Sequence, residues 1–210
     1  YHRTMPLTPE QVGREVGRIR VTPDARWLMA YAVGVPDARP ELYDTTAALV
    51  THPMFPVAPE WELIMTHRTS SATMTRAEVL SGVHSAHDVI VERSIVPGET
   101  LDLVATVAAV DRRRSGCTQD LAFVATDATG AIVWRTRFTS FFRGVELVGE
   151  PTSAGLDWPE RPAAVPGGAL LGRLRRGRSS AVVAFGCFEP GDTLSARNTT
   201  QGVLRHVTGS

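Results

Sequence analysis

Four stretches between residues 87 and 143 carry apolar and polar residues in a period of two, and only short turns separate them. They run over 87–96, 100–111, 117–126 and 131–143, joined by Val96-Pro97-Gly98-Glu99, by residues 112–116 and by Asp127-Ala128-Thr129-Gly130. Period two places successive side chains on opposite faces of a strand. Connections this short join antiparallel neighbours, because a parallel crossover needs a dozen residues or more. The pattern predicts an antiparallel meander. In its last strand Ile132, Trp134, Phe138 and Phe142 share one face while Arg135 and Arg137 take the other, so one side is buried and the other is wet or at an interface.

The residues before the meander read differently. Thr22-Pro23-Asp24 is a helix start with proline in the first turn. A helix from Pro23 to about Val33 would carry Trp27, Leu28, Ala30, Tyr31 and Ala32 largely on one side before Gly34 and Pro36 stop it. Residues 37–50 read as a loop. After His52-Pro53-Met54-Phe55-Pro56, the apolar run of Trp61, Leu63, Ile64 and Met65 fits a buried helix wrapped by a sheet, and the run alone does not exclude a strand. A sheet packed on a helix makes the class α+β. Beyond Glu150 the chain turns rich in Pro, Gly and Ala, and its last 60 residues are too few for a second domain of the first one's size. The expected division is one domain over 1–150 and a linker with a partly ordered tail over 151–210.

Charge and composition remove several function classes. The formal net charge is zero, which supplies no field to concentrate nucleic acid or an anionic membrane. All 22 basic residues are Arg, so neither a Schiff-base lysine nor a phosphate-loop lysine exists. Cys117 and Cys187 match no metal-ligand spacing, and a reducing cytoplasm is the default setting. No apolar run reaches the length of a spanning helix. Gly-x-Ser-x-Gly, zincin and dinucleotide-binding patterns are also missing.

Tyr31-Ala32-Val33-Gly34, His52 to Trp61, Val83-His84, Pro97 to Leu101 and the closing Arg143-Gly144 stand in an order that resembles the N-terminal hotdog half of the MaoC-like hydratase/dehydratase family. The resemblance spans residues 8–148. It implies a hotdog fold, an antiparallel sheet wrapped around a central helix. It further implies an (R)-specific enoyl-coenzyme A hydratase or 3-hydroxyacyl-thioester dehydratase, with coenzyme A or acyl carrier protein as substrate carrier and neither cofactor nor metal. The catalytic half of that family carries an Asp and a His in a segment resembling Asp-x-Asn-Pro-x-His. Here the corresponding stretch runs from Asp37 to Asp44, with Arg39 in place of Asn and Tyr43 near the histidine's place. Tyrosine, with a pKa of about 10, is a poor proton shuttle at neutral pH. The departure implies the substrate-holding half, leaving Asp37, Tyr43 and Asp44 as weak catalytic candidates. Its partner would be a second copy or a catalytic hotdog subunit. A truncated or frame-shifted second half after about Gly168 would account for the change in composition.

Each candidate binding residue has two readings. His52 lines an acyl or pantetheine channel, or caps the turn at Pro53. His84 and His87 approach a phosphopantetheine arm, or pair with nearby backbone. Phe55, Trp61, Ile64 and Met65 wall an acyl tunnel, or fill the core. Arg113, with Arg112 and Arg114, binds a coenzyme A phosphate or an acidic carrier, or is a solvated turn. Arg173, Arg175, Arg176 and Arg178 touch an anionic surface, or keep a tail soluble. Two other functions stay open: a hotdog thioesterase activating water through Asp37, Asp44 or Glu60, and a non-enzymatic acyl-thioester-binding module.

Overall fold

The computed structural model describes residues 7–35, 37–70, 75–155, 158 and 193–197. The four expected strands are present as β2 (Gly82–Val91), β3 (Leu101–Arg113), β4 (Gly116–Thr126) and β5 (Ile132–Arg143). Preceding them are β1 (Glu15–Val21), α1 (Ala25–Gly34), α2 (Val57–Ser70) and α3 (Arg76–Ser81), and β6 (Thr152–Ser153) and β7 (Thr193–Arg197) follow. The sheet order is β1-β3-β4-β5-β2-β7, with β6 paired to β3, and every pairing is antiparallel.

Two boundaries differ from expectation for physical reasons. β2 begins at Gly82 and ends at Val91, five residues earlier at each end than its alternation suggested. The chain leaves the ladder where Arg93 turns to hold Glu99 and Asp127, at 2.8 and 2.9 Å, which ties the 92–99 connection to the β4–β5 turn. In β5, Trp134, Phe138 and Phe142 are buried together as expected, whereas Ile132 is exposed because the register slips between Ala125 and Thr126. Arg135 and Arg137 do lie on the other face, paired with Glu92 and Asp120.

The α1 start is capped by Asp24, whose carboxylate accepts the Trp27 N–H at 2.7 Å. α2 resolves the open choice between helix and strand. Glu60, Leu63 and Ile64 form a buried stripe one and two turns into it, at the helical spacing of three and four residues. Leu63 and Ile64 pack with Leu103, Ala105, Leu121 and Phe123 in the main core. α2 also bonds β4 through His67–Gln119 and β5 through Trp134, Thr136 and Ser140. Its approach to β1 is close enough that a Cβ on Gly17 would come within 3.1 Å of the Leu63 side chain. The sheet therefore wraps one long helix, which places that helix's polar residues inside the molecule.

Candidate functional site

Glu60 stands in the first turn of α2 with no exposed surface. A carboxyl group buried this fully is costly unless donors surround it. Three side chains do so. Trp134 Nε1–H and Thr136 Oγ1–H donate to Oε1 at 2.9 and 2.6 Å, and His87 Nε2 lies 3.1 Å from Oε2. Strand periodicity supplies two of them, since Trp134 and Thr136 are two residues apart on one face of β5, and the β2–β5 register brings His87 opposite Phe138 on the same face. Tyr31 packs nearby, and burial together with the Glu60 charge pushes its hydroxyl up to about 12.

A second carboxylate and imidazole meet outside the helix. Asp37 Oδ2 lies 3.4 Å from His52 Nε2, and these side chains are only 2% and 1% exposed. Arg39 holds the same carboxylate through Nε and Nη2, at 3.0 and 2.7 Å to Oδ2, and its backbone N–H donates to Oδ1. Burial pushes the Asp37 carboxyl up, but the Arg39 bonds and charge outweigh it and hold the group below its usual range. On His52, Nδ1 accepts the Met54 N–H at 3.1 Å, so the neutral ring keeps its proton on Nε2, facing Asp37. Burial pulls His52 down to about 4, against the attraction of Asp37 and with the help of Arg39. The Tyr43 hydroxyl donates to the Asp37 backbone carbonyl and closes the loop.

The sequence candidates divide accordingly. Asp37, Tyr43 and His52 come together around Arg39. Asp44 stands apart: it is exposed and accepts from the Thr46 N–H and hydroxyl, at 2.9 and 2.6 Å, within its own turn. The four proposed tunnel residues split between two faces. Phe55 is buried edge-on against Trp27 and Tyr31, at ring distances of 5.2 and 5.6 Å, and Ile64 joins it in the core. Trp61, 48% exposed, and Met65 lie on the opposite side of α2. His84 stacks on Phe138 at 4.7 Å, next to the His87 ring, with its other side exposed. Arg113 pairs with Asp111 at 2.7 Å in the exposed β3–β4 hairpin. The arginines at 173–178 lie outside the described residues.

Sequence reasoning listed Glu60 and His87 separately and did not join them. The available signal was the placement of Glu60 on the same helical stripe as Leu63 and Ile64, which buries an acid. Its partners lie 27, 74 and 76 residues away, beyond any local motif.

No family model matches the sequence, and no curated protein matches it significantly. Solved structures match its fold. A MaoC-like dehydratase from Phytophthora capsici superposes with a TM-score of 0.56 at 20% identity, covering 73% of this chain and 57% of that one. Another structure named MaoC-like dehydratase gives 0.55 at 17% identity over 63% of this chain and 42% of the other. Peroxisomal multifunctional enzyme type 2 from Drosophila melanogaster gives 0.51 at 21% identity over 70% and 25%. The chain spans less than two thirds of each of these structures. The polypeptide has the hotdog fold, a sheet wrapped around a central helix, in the form found in structures named MaoC-like dehydratases.

Proposed function

We propose that this chain is the substrate-holding half of a MaoC-like (R)-specific enoyl-thioester hydratase or 3-hydroxyacyl-thioester dehydratase. It binds an acyl group carried on coenzyme A or acyl carrier protein, and it turns over only beside a catalytic hotdog half. One observation carries this reading: the imidazole and carboxylate that meet at His52 and Asp37 are both fully engaged. Adding water across a double bond needs a base with an open lone pair and a pKa near neutrality. The Nδ1 lone pair of His52 is occupied by the Met54 N–H, its Nε2 proton faces Asp37, and its pKa is drawn to about 4. Asp37 is held by Arg39. The Glu60–His87 pair is sealed from solvent, 0% and 1% exposed, and Glu60 is occupied by Trp134 and Thr136 as well. The acid and base for hydration therefore come from a second hotdog.

The thioesterase reading needs a carboxylate facing water and substrate together. Glu60 is buried, Asp37 is tied to Arg39, and Asp44 serves its own turn, so no observation favours that reading.

The test uses crotonyl-coenzyme A. Calorimetry on the purified chain is expected to register binding, while the enoyl absorbance stays constant until a catalytic hotdog subunit is added. Robust hydration by the chain alone, lost in Asp37→Asn, overturns the assignment. Release of free thiol identifies a thioesterase instead.

A further inference from the structure

The C-terminal turn of α2 carries a cation, Arg68, that no carboxylate among the described residues neutralises. Arg18, Arg20, Arg39, Arg93, Arg113, Arg135 and Arg137 each pair with a carboxylate. Arg68 pairs with none among the described residues. Among the described residues its side-chain bond is from Nη2 to Ser140 Oγ at 3.3 Å, and its Nε–H is buried without a partner. Burial lowers its pKa, so the charge is held against a desolvation penalty. The negative end of the α2 dipole offsets part of that penalty, but it supplies no acceptor to the buried Nε–H.

Among the described residues, the groups around Arg68 are basic or neutral. Strand register puts His84 opposite Ser140, and Ser140 opposite Gln119, in one row across β2, β5 and β4. His67, on the residue before Arg68, bonds Gln119 at 2.9 Å. Burial and then the Arg68 charge lower His67, while burial, His87 and Arg68 lower His84 to about 4. The acids of α2's first turn and of α3 are committed elsewhere: Glu78 caps α3 through Thr75, and Glu60 holds His87. Two imidazoles thus flank an arginine, and each becomes harder to protonate because of it.

We propose that Arg68, Ser140 and His84 form a phosphate-binding site at the C-terminal end of α2. Three elements contribute donors of different geometry: a guanidinium from α2, a hydroxyl from β5 and an imidazole from β2. A tetrahedral phosphate has enough oxygens to meet all three, whereas a carboxylate has two. Coenzyme A and the phosphopantetheine arm of a carrier protein both present such a group. The choice between these carriers rests on the function proposed above, but the site itself does not.

The experiment titrates inorganic phosphate, adenosine 3′,5′-bisphosphate and phosphopantetheine separately into the full chain. The readouts are the Arg68 Nε–H and His84 ring resonances of isotopically labelled protein. Millimolar phosphate is expected to shift both and to raise the pH midpoint of His84. Arg68→Gln is expected to weaken the effect about tenfold or more. Phosphate also stabilises proteins by exclusion from their surface, so a rise in Tm counts only where it is absent from Arg68→Gln. If that variant does not fold, the wild-type resonances still decide. A response to phosphate or to either ester supports the site, and the ester acting at lower concentration names the carrier. Unmoved Arg68 and His84 signals with all three probes, or an equal His84 shift in a folded Arg68→Gln protein, overturn it. Failure of crotonyl-coenzyme A binding alongside a positive phosphate titration would remove the proposed function and leave the site standing.

Discussion

His52 accepts one hydrogen bond and faces a carboxylate with its other nitrogen, so protonating it forces the Met54 N–H away from Nδ1. The consequence is a defined pH dependence. The folded pKa is about 4 against an ordinary 6.5, so between those values the unfolded chain binds the extra proton and stability falls as pH falls. Fully developed, that difference is worth about 3 kcal/mol. Asp37 acts later: its folded pKa lies below the unfolded one, and its contribution is lost as pH drops through the acid range. Urea midpoints measured from pH 7 to about 4 should decline in wild type and decline less in His52→Gln. An unchanged slope in that variant would remove His52 as the cause. At this scale the sequence was partly legible. The Arg39 and Tyr43 departures were visible in order, but His52 is fifteen positions from Asp37, and only the fold brings it within 3.4 Å.

Among the elements, the strands of the meander were the most readable and α3 the least. The apolar run around Leu63 and Ile64 admitted a buried helix or a strand, whereas the meander is announced by its short turns. β1 falls within residues 12–21, which alternate only loosely: Arg18-Ile19-Arg20-Val21 keeps the period, the bulge between Glu15 and Gly17 breaks it, and Arg20 pairs across to Asp102 on β3 at 2.8 Å. α3 was missed although Thr75 and Glu78 form a capping box, since six residues give too few periods to recognise. The two faces of α2 predict opposite outcomes for two aromatic truncations. Phe55→Ala, just before the helix and wholly buried, should cost about 3–5 kcal/mol, whereas Trp61→Ala on the exposed face should change stability by about 0.5 kcal/mol or less. Glu60→Ala should be as severe as Phe55→Ala, about 3–5 kcal/mol, because it strands the Trp134, Thr136 and His87 polar groups in the core. Chemical denaturation of the three variants checks the order. A mild Glu60→Ala would mean that water enters the network.

For the molecule as a whole, the decisive feature is which sheet edge is covered. The reading of residues 151–210 as a linker with a partly ordered tail leaves room for a short element, and Thr193–Arg197 is a strand that pairs with β2 from Ala86 to Ile90. An antiparallel strand found so far along the chain was not legible, because Thr193-Leu194-Ser195-Ala196-Arg197 alternates over only five residues and its partner on β2 lies far back in the sequence. Its effect is to satisfy the β2 backbone groups that would otherwise face outward. A chain ending at Gly155 lacks that strand and leaves Ala86–Ile90 as an open template, and open edges recruit other strands. Light scattering coupled to gel filtration should therefore detect concentration-dependent self-association of the shortened chain through β2. Proline at Val89, which sits in the middle of the paired stretch opposite Leu194, should suppress that association if the truncated protein still folds. Equal association behaviour of the full and shortened chains would mean that β7 does not guard this edge, and that any partner engages a different surface.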